Sequence, residues 1–323
     1  MRKKIVGVFI VFLFIGAILV PTISSSEIIK TCRLGRTFYV GGSGPGNYTR
    51  IQDAIDDASD GDTVFVYSGI YYENIIINKT ISLEGENRDK PVVDGNKHND
   101  VVTISSDYVK IEGFTIQRSA YVHSGILVYE SYHVTISNNI IVDNSWGITL
   151  HNSHFNNILG NVIKENQFIG ISSSYFSANN NIILDNEVIN NGKGSIGIAF
   201  AHSNGNEIIN NIISGNLEGI NFLDMGGNKI IDNIISENRL HGIFLEDSRD
   251  NTIMNNDFLN NYVDASFITD SIRHNNFYLR NYWNESLTIP KIIYGVIEIG
   301  HFFKISHIWV NFDFWPRAQP KDS

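Results

Sequence analysis

Residues 206–216 read NEIINNIISGN. Isoleucine pairs are bracketed by asparagine, a residue poorly suited to the interior of a helix or a strand. The same pattern returns along the chain. Aligned on the second asparagine of N-x-I-x-x-N, it anchors at Asn161, Asn186, Asn211, Asn233 and Asn256. Asn138 follows with His133 in the first slot, Asn276 with Ser271, and Gly113 with Tyr108. A Gly-Ile pair comes about nine residues after most anchors: Gly125-Ile126, Gly147-Ile148, Gly170-Ile171, Gly197-Ile198, Gly219-Ile220 and Gly242-Ile243. A recurrence of this length is the mark of a solenoid, in which each unit buries its apolar face against the next.

The apolar runs are too short for helices and rich in β-branched residues, which favour strands. Leucine-rich repeats share the period but need leucines at offsets that are missing here. Three short strands per unit, each closed by a turn, make one coil of a parallel β-helix, with coils stacked about 4.8 Å apart. The asparagines then have a purpose. At a sharp turn one residue often needs a left-handed backbone, which asparagine tolerates and glycine prefers. Stacked carboxamides can also donate to one coil and accept from another. This predicts one ladder through Gly113, Asn138, Asn161, Asn186, Asn211, Asn233, Asn256 and Asn276, with isoleucines filling the core. Two units are longer, through SSSYFSAN (172–179) and NNGKGS (190–195), and should leave the coil as loops on one face.

The ends differ. Residues 1–26 open with Arg2, Lys3 and Lys4 and an apolar run from Ile5 to Val20, the form of a secretory signal or an uncleaved anchor. Their removal shifts the net charge from −10 to about −13. Such a surface repels nucleic acid and anionic lipid, so membrane contact would come only through the N-terminal segment. Cys32 is the single cysteine, so no internal disulfide forms. Asn47, Asn78 and Asn284 head N-glycosylation sequons. Residues 37–63 are read as an entry strand and a capping helix. In TRIQDAIDDASDG (49–61), Thr49 and Gln52 suggest a capping box and Gly61 a C-cap, with Ile51, Ala54, Ile55 and Ala58 on one face. Residues 64–281 hold the repeats. Residues 282–323 form an aromatic-rich C-terminal cap, with Trp283, Trp309 and Trp315 expected to pack on the last coil rather than serve as sugar platforms.

The opening YTRIQDAIDDASDGDTVFVYSGIYYENIIINKTISLEG (48–85) and the GI…N-x-I-x-x-N units resemble the NosD-like, CASH-type parallel β-helix repeat family from about Thr37 to Trp283. The resemblance implies a right-handed parallel β-helix of the pectin-lyase type, outside the cytoplasm. It also implies a link to carbohydrate binding and processing, and in NosD itself to copper-site assembly. One scaffold carries lyases, hydrolases, epimerases, esterases and inert adhesins, so fold alone does not name the activity.

Chemistry must come from side chains. The polygalacturonase set N-T-D, D-D, G-H-G and R-I-K is absent; RHNN at Arg273 and LHGIF at His241 lack accompanying acids. The pectin methylesterase G-F-x-x-R-Q-D segment and the clustered Arg and Asp of a pectate lyase are missing too. One column lies five residues after each glycine of the Gly-Ile pairs: Glu130, Asn152, Tyr175, His202, Asp224 and Asp247, with Asp270 continuing it and Glu246 beside it. Asp224 and Asp247 on consecutive coils could hold Ca²⁺ or act as a retaining carboxylate pair. Equally, several members precede a serine, which is ordinary turn chemistry. His151 and His154, with His202, are the imidazole candidates for copper. Met225 and Met254, the methionines beyond the initiator, do not make a thioether-rich site. The expectation is a secreted or cell-surface, monomeric, non-catalytic protein that binds polysaccharide or surface glycan and needs no cofactor. The alternatives are a glycan lyase, hydrolase or C5-epimerase acting through Asp224 and Asp247, and a NosD-like copper-site maturation factor.

Overall fold

The computed structural model describes residues 35–173, 176–192, 194–270, 275–284, 290–299, 305–313 and 315–320. Residues 1–26, with the expected signal or anchor, and Cys32 lie outside them. Within the described residues the chain is a parallel β-helix with one short helix, Ile51–Asp57. Each coil lays one strand on each of three faces. Face 1 carries the longest strands, such as Trp146–His151, Glu218–Leu223 and His241–Glu246. Face 2 follows with Asn157–Leu159, Glu207–Ile209 and their equivalents, and face 3 with Val162–Lys164, Ile212–Ser214 and theirs. Faces 1 and 2 share one 22-stranded sheet, and face 3 is a 10-stranded sheet.

Register explains the isoleucines. Ile136, Ile158, Ile183, Ile208, Ile230 and Ile253 pair in succession on face 2. All are 0% exposed. Each such side chain contributes about 1.5–3 kcal/mol of transfer free energy relative to exposure. Columns of this kind run up the inside of all three faces.

The opening stretch decodes residue by residue. Its asparagines serve three ladders, not one. Asn206 belongs to the ladder before face 2, through Asn156, Asn181, Asn206, Asn228, Asn251 and Asn276. Asn211 belongs to the ladder between faces 2 and 3, through Asn139, Asn161, Asn186, Asn211, Asn233, Asn256 and Asn281. Asn216 belongs to the ladder before face 1, through Asn144, Asn166, Asn191, Asn216, Asn238 and Asn261. In the middle ladder, Asn211 Oδ1 accepts from the backbone N–H of Asn186 at 2.9 Å and from its amide at 3.0 Å. The Asn211 amide in turn donates to Asn233 Oδ1 at 3.0 Å and to the Ile183 carbonyl at 2.9 Å.

This corrects three of the expected positions. Gly113 and Asn138 are not rungs. They take left-handed backbone, with φ of 81° and 52°, one residue before the ladder. The rung is Asn139, and the coil before it has Phe114 in that place, whose N–H donates to Asn139 Oδ1 at 3.0 Å. Asn276 is a rung, but of the ladder before face 2. Left-handed turn and amide ladder are separate duties on consecutive residues: Asn210 and Gly215, with φ of 53° and 70°, precede Asn211 and Asn216.

Tight stacking also explains the recurrent glycine at the second position of face 1. A Cβ on Gly147 would lie 2.3 Å from the Gly170 carbonyl oxygen, and one on Gly219 would lie 2.5 Å from that of Gly242.

Both ends are finished by carboxylates. The helix Ile51–Asp57 buries Ile51, Ala54 and Ile55, but its capping differs from the sequence reading. Arg50 is the N-cap residue and makes no side-chain cap bond. Glu73, from the next coil, accepts the Ile51 and Gln52 N–H groups at 2.8 and 3.0 Å. Gln52 instead mimics a strand edge, its Oε1 accepting from Ile76 N–H at 2.8 Å. The helix ends at Ala58, not Gly61, and the Lys79 ammonium takes the carbonyls of Ile55, Asp56 and Ala58. At the other end an antiparallel hairpin, Lys291–Ile299 with Ile305–Asp313, succeeds the last coils. Its Asp313 terminates the middle ladder by accepting from Asn281 N–H and amide, Arg280 N–H and Trp283 Nε1. Trp283 is buried and stacks on Phe258 at 4.4 Å. Trp315, expected to pack, is 69% exposed, and the Trp309 side chain lies outside the described residues.

The division of labour is testable by urea unfolding. Asn211→Ala orphans the donors of Asn186 and should cost about 3 kcal/mol or more. Asn210→Gly next door should stay within about 0.5 kcal/mol. Asn210→Ala should cost about 1 kcal/mol, because alanine resists left-handed backbone. Equal losses at positions 210 and 211 would contradict the separation. Asp313→Ala strips five donors, the Trp315 N–H included, of their buried acceptor and should destabilise at least as much as Asn211→Ala.

Candidate functional site

Strict register turns the outside of face 1 into a grid. One outward column runs Ser124, Trp146, Ile169, Ile196, Glu218, His241 and Val263. Beside it runs Leu127, Thr149, Ser172, Ala199, Asn221, Phe244 and Ser266. Small residues in the middle of the second column leave a trough. At one end a hydroxyl chain leads to it, the buried Ser124 Oγ donating to Thr149 Oγ1 at 2.7 Å and Thr149 lying 3.2 Å from Ser172, which lines the trough. The result is a mainly apolar cavity of about 250 Å³ lined by Trp146, Ile169, Ile196, Ala199, Asn221 and Leu223, among others. Tyr121, 69% exposed, meets Phe168 edge-on where the chain enters face 1.

Both long insertions border this trough. The first leaves face 1 after Ser172, and its Phe176 ring sits 4.1 Å from His151. The second enters face 1 before Ile196, and Arg239 ties it down by donating to the Gly192 carbonyl at 2.8 Å.

Where the first column turns polar, two titratable groups meet. His241 Nδ1 lies 3.3 Å from Glu218 Oε1, and the Asn221 amide donates to Glu218 Oε2 at 2.6 Å. The imidazole stacks on Phe244 at 5.0 Å. Burial pushes the Glu218 carboxyl up, but the His241 and Asn221 hydrogen bonds and the His241 charge outweigh it and leave the group below its usual value. This pair corrects the statement that His241 lacks an acid. Its partner stands one coil earlier, 23 residues away, where linear motif reading does not look.

The acidic column falls on the turn that ends face 1. Glu130, Asn152, His202, Asp224 and Asp247 all have left-handed backbone, with φ of 46–50°. Asp and Asn accept that geometry more readily than most residues, so part of the column is dictated by the turn. Tyr175 lies outside the described residues. The structure brings His202, Asp224, Asp247 and Asp270 to one cavity of about 370 Å³, with Arg249 in its wall. His202 Nδ1 lies 3.0 Å from Asp224 Oδ2, and Asp247 Oδ1 accepts the Asp270 N–H at 2.8 Å. Glu246 is half-buried on face 1, in register with Leu223, which lines both this cavity and the trough.

The imidazoles of His133, His151 and His154 sit against aromatic rings where face 1 passes to face 2. His151 stacks on Tyr129 at 4.9 Å and His133 on Tyr108 at 4.8 Å, and His154 meets Tyr132 at 5.4 Å with the rings tilted. His154 Nδ1 accepts the Asn179 N–H at 2.9 Å. Met225 is buried in the core. Among the described residues no three His, Cys, Asp or Glu side chains converge on a point where a metal ion could sit. The Asn179 N–H thus occupies the lone pair of His154 Nδ1. No described helix is long and apolar enough to cross a membrane.

The family model described as periplasmic copper-binding protein (NosD) matches residues 55–302. A cell surface glycoprotein of Methanothermus fervidus is 36% identical over 96 residues, 29% of this chain and 16% of that protein. The chain thus spans about a sixth of that curated relative. Among solved structures, pectate lyase Pel9A aligns with a TM-score of 0.60 at 16% identity, covering 75% of this chain and 76% of Pel9A. XylC in complex with xylose aligns with a TM-score of 0.58 at 12% identity, covering 86% of this chain and 73% of XylC. At such identities these two share the fold.

His154 generates a pH prediction. Burial holds its imidazole below the usual value of 6.5, and its Nδ1 must be unprotonated to accept from Asn179. The unfolded chain therefore takes up this proton first as pH falls. The stabilisation is complete above about 6.5 and is lost as pH drops below that toward the folded value. Denaturation between pH 7.5 and 5 should show this loss. His154→Asn, whose carboxamide oxygen can accept the same N–H, should flatten it. An unchanged pH slope in His154→Asn would refute the assignment.

Proposed function

Because the chain belongs to the NosD family, we propose that it is an extracytoplasmic β-helix protein that binds a polysaccharide or cell-surface glycan along face 1 without chemically altering it. The observation that carries the reading is the trough from Trp146 to Leu223. It offers an apolar floor for the carbon faces of sugar rings, an indole at one end, and the Asn221 carboxamide for a hydroxyl. Pockets that are largely apolar with a few placed polar groups are the usual form of small-ligand sites. The family description is periplasmic, the Methanothermus relative is named a cell surface glycoprotein, and XylC was solved with a sugar; all three support the reading. A net charge of −10 and the lack of cations among the trough's lining residues favour a neutral glycan over a polyuronate.

The non-catalytic part rests on Asp224 and Asp247. Glycoside hydrolysis needs one carboxyl held as an acid and another as base or nucleophile across the scissile bond. Here one carboxylate is committed to His202 and the other to a backbone N–H, on an exposed turn. Neither stands in the trough.

Affinity electrophoresis through gels containing neutral polysaccharides tests this. At least one should retard the protein, and Trp146→Ala should weaken retardation about ten-fold, or 1.4 kcal/mol. New reducing or unsaturated ends appearing in the bound polysaccharide would replace binding with catalysis. Free migration in every gel would remove the proposal.

A further inference from the structure

One backbone position is filled in a way the coil itself does not require. The turn from face 1 to face 2 holds a residue in left-handed backbone in coil after coil. Later coils place Asn180, Gly205, Gly227 and Asp250 there, with φ of 56–69°, and these residue types suit it. Three consecutive earlier coils place Tyr108, His133 and Phe155 there instead, with φ of 57–58°. Left-handed backbone is unfavourable for bulky side chains. The core gains nothing in exchange, because the three rings lie outside it, Tyr108 at 64% and Phe155 at 47% exposure. They stack in series, Tyr108 on His133 at 4.8 Å and His133 on Phe155 at 5.7 Å. Stacking offsets part of the strain but still leaves apolar rings in water. Strained residues of this kind cluster where a protein binds or reacts.

The chemistry around the stack narrows the ligand. Tyr129, Tyr132 and Phe176 are exposed beside it, which makes one aromatic corner. The hydroxyls of Tyr108, Tyr129 and Tyr132 and the ring nitrogens of His133 make no hydrogen bond among the described residues. The turn segments 104–109, 129–134 and 151–156 hold two acids, Asp107 and Glu130, and no lysine or arginine. An anionic ligand is therefore disfavoured. The corner also continues the trough. The third outward column of face 1 runs through Tyr129 and His151 to Ala201 and Leu223, and the last two line the trough. Phe176, packed on His151, belongs to the loop that leaves face 1 after Ser172, another lining residue. A neutral chain with CH faces for the rings and hydroxyls for the phenols and imidazole can follow this column out of the trough.

We infer that the aromatic corner built on Tyr108, His133 and Phe155 is a second contact surface for the neutral glycan held in the trough. The inference rests on that glycan reading and extends the footprint to an oligosaccharide that spans both surfaces. The double variant Tyr108→Asn, Phe155→Asn tests it in the full chain, since Asn180 occupies the same turn position in a later coil. Its urea midpoint should equal or exceed that of the wild type, because left-handed strain is relieved. Its retardation by the polysaccharide that retards the wild type should weaken about ten-fold. Hydroxyl-radical footprinting of the wild type gives a reading free of any folding defect. The same polysaccharide should protect Tyr108 and Phe155 more than Tyr262, which is exposed beside the hairpin. A lowered midpoint with undiminished retardation makes the stack structural and overturns the inference. Undiminished retardation at an unchanged midpoint, or no protection of Tyr108 and Phe155, overturns it as well. In each of these cases weaker retardation of Trp146→Ala leaves the trough standing. If no polysaccharide retards the wild type, both readings fall.

Discussion

The fold depends on a single hydrogen-bond arrangement. An asparagine Oδ1 accepts both the backbone N–H and the side-chain amide of its counterpart one coil earlier, while its own amide serves the following coil and a main-chain carbonyl. Each tight turn between faces would otherwise bury N–H and C=O groups with no strand partner, at a cost of about 1–3 kcal/mol apiece. The carboxamide supplies donor and acceptor in one short side chain, and stacking lets one residue type serve every coil. The arrangement holds only if equivalent residues lie in strict register. That is why glycine recurs where a Cβ would strike the next coil's carbonyl, and why the middle ladder must end on a group that only accepts. Asp313 is such a group.

The same register governs the surface. Inward positions are claimed by isoleucine columns, turns by ladders and left-handed residues, and what remains free is the outward side of each strand. Function therefore comes as columns about 4.8 Å apart rather than as motifs in the chain. On face 1 the composition changes along one such column, from Trp146 through two isoleucines to Glu218 and His241. The two insertions flank the same stretch from either edge, so trough, loops and polar pair form one district of the molecule.

Much of the scaffold was legible because its determinants repeat. The period, the inward isoleucines and the three-strand coil all follow from recurrence at 22–25 residues. The off-by-one assignment of Gly113 and Asn138 has a physical source: glycine and asparagine also suit the left-handed site, so adjacent columns look alike in sequence. The site was less legible. Glu218 and His241 touch across coils, and nothing near either residue announces the other. Glu73 reaches the helix N-terminus from the following coil, displacing the local capping box that Thr49 and Gln52 suggested. The acidic column was visible, but its turn geometry was not, and that geometry accounts for much of its composition.

A solenoid has one more constraint that compact folds lack: its binding surface has ends. Along the middle coils every position has a neighbour above and below, so a ligand meets a repeating floor and can slide by one coil at little cost. At the hairpin that translational symmetry breaks. Lys291, Tyr294 and Gly295 come from a strand that still continues face 1 in parallel register, but its other edge is covered by an antiparallel partner with no counterpart in the coils. Register can hold an extended chain in line, but it cannot by itself fix where that chain begins.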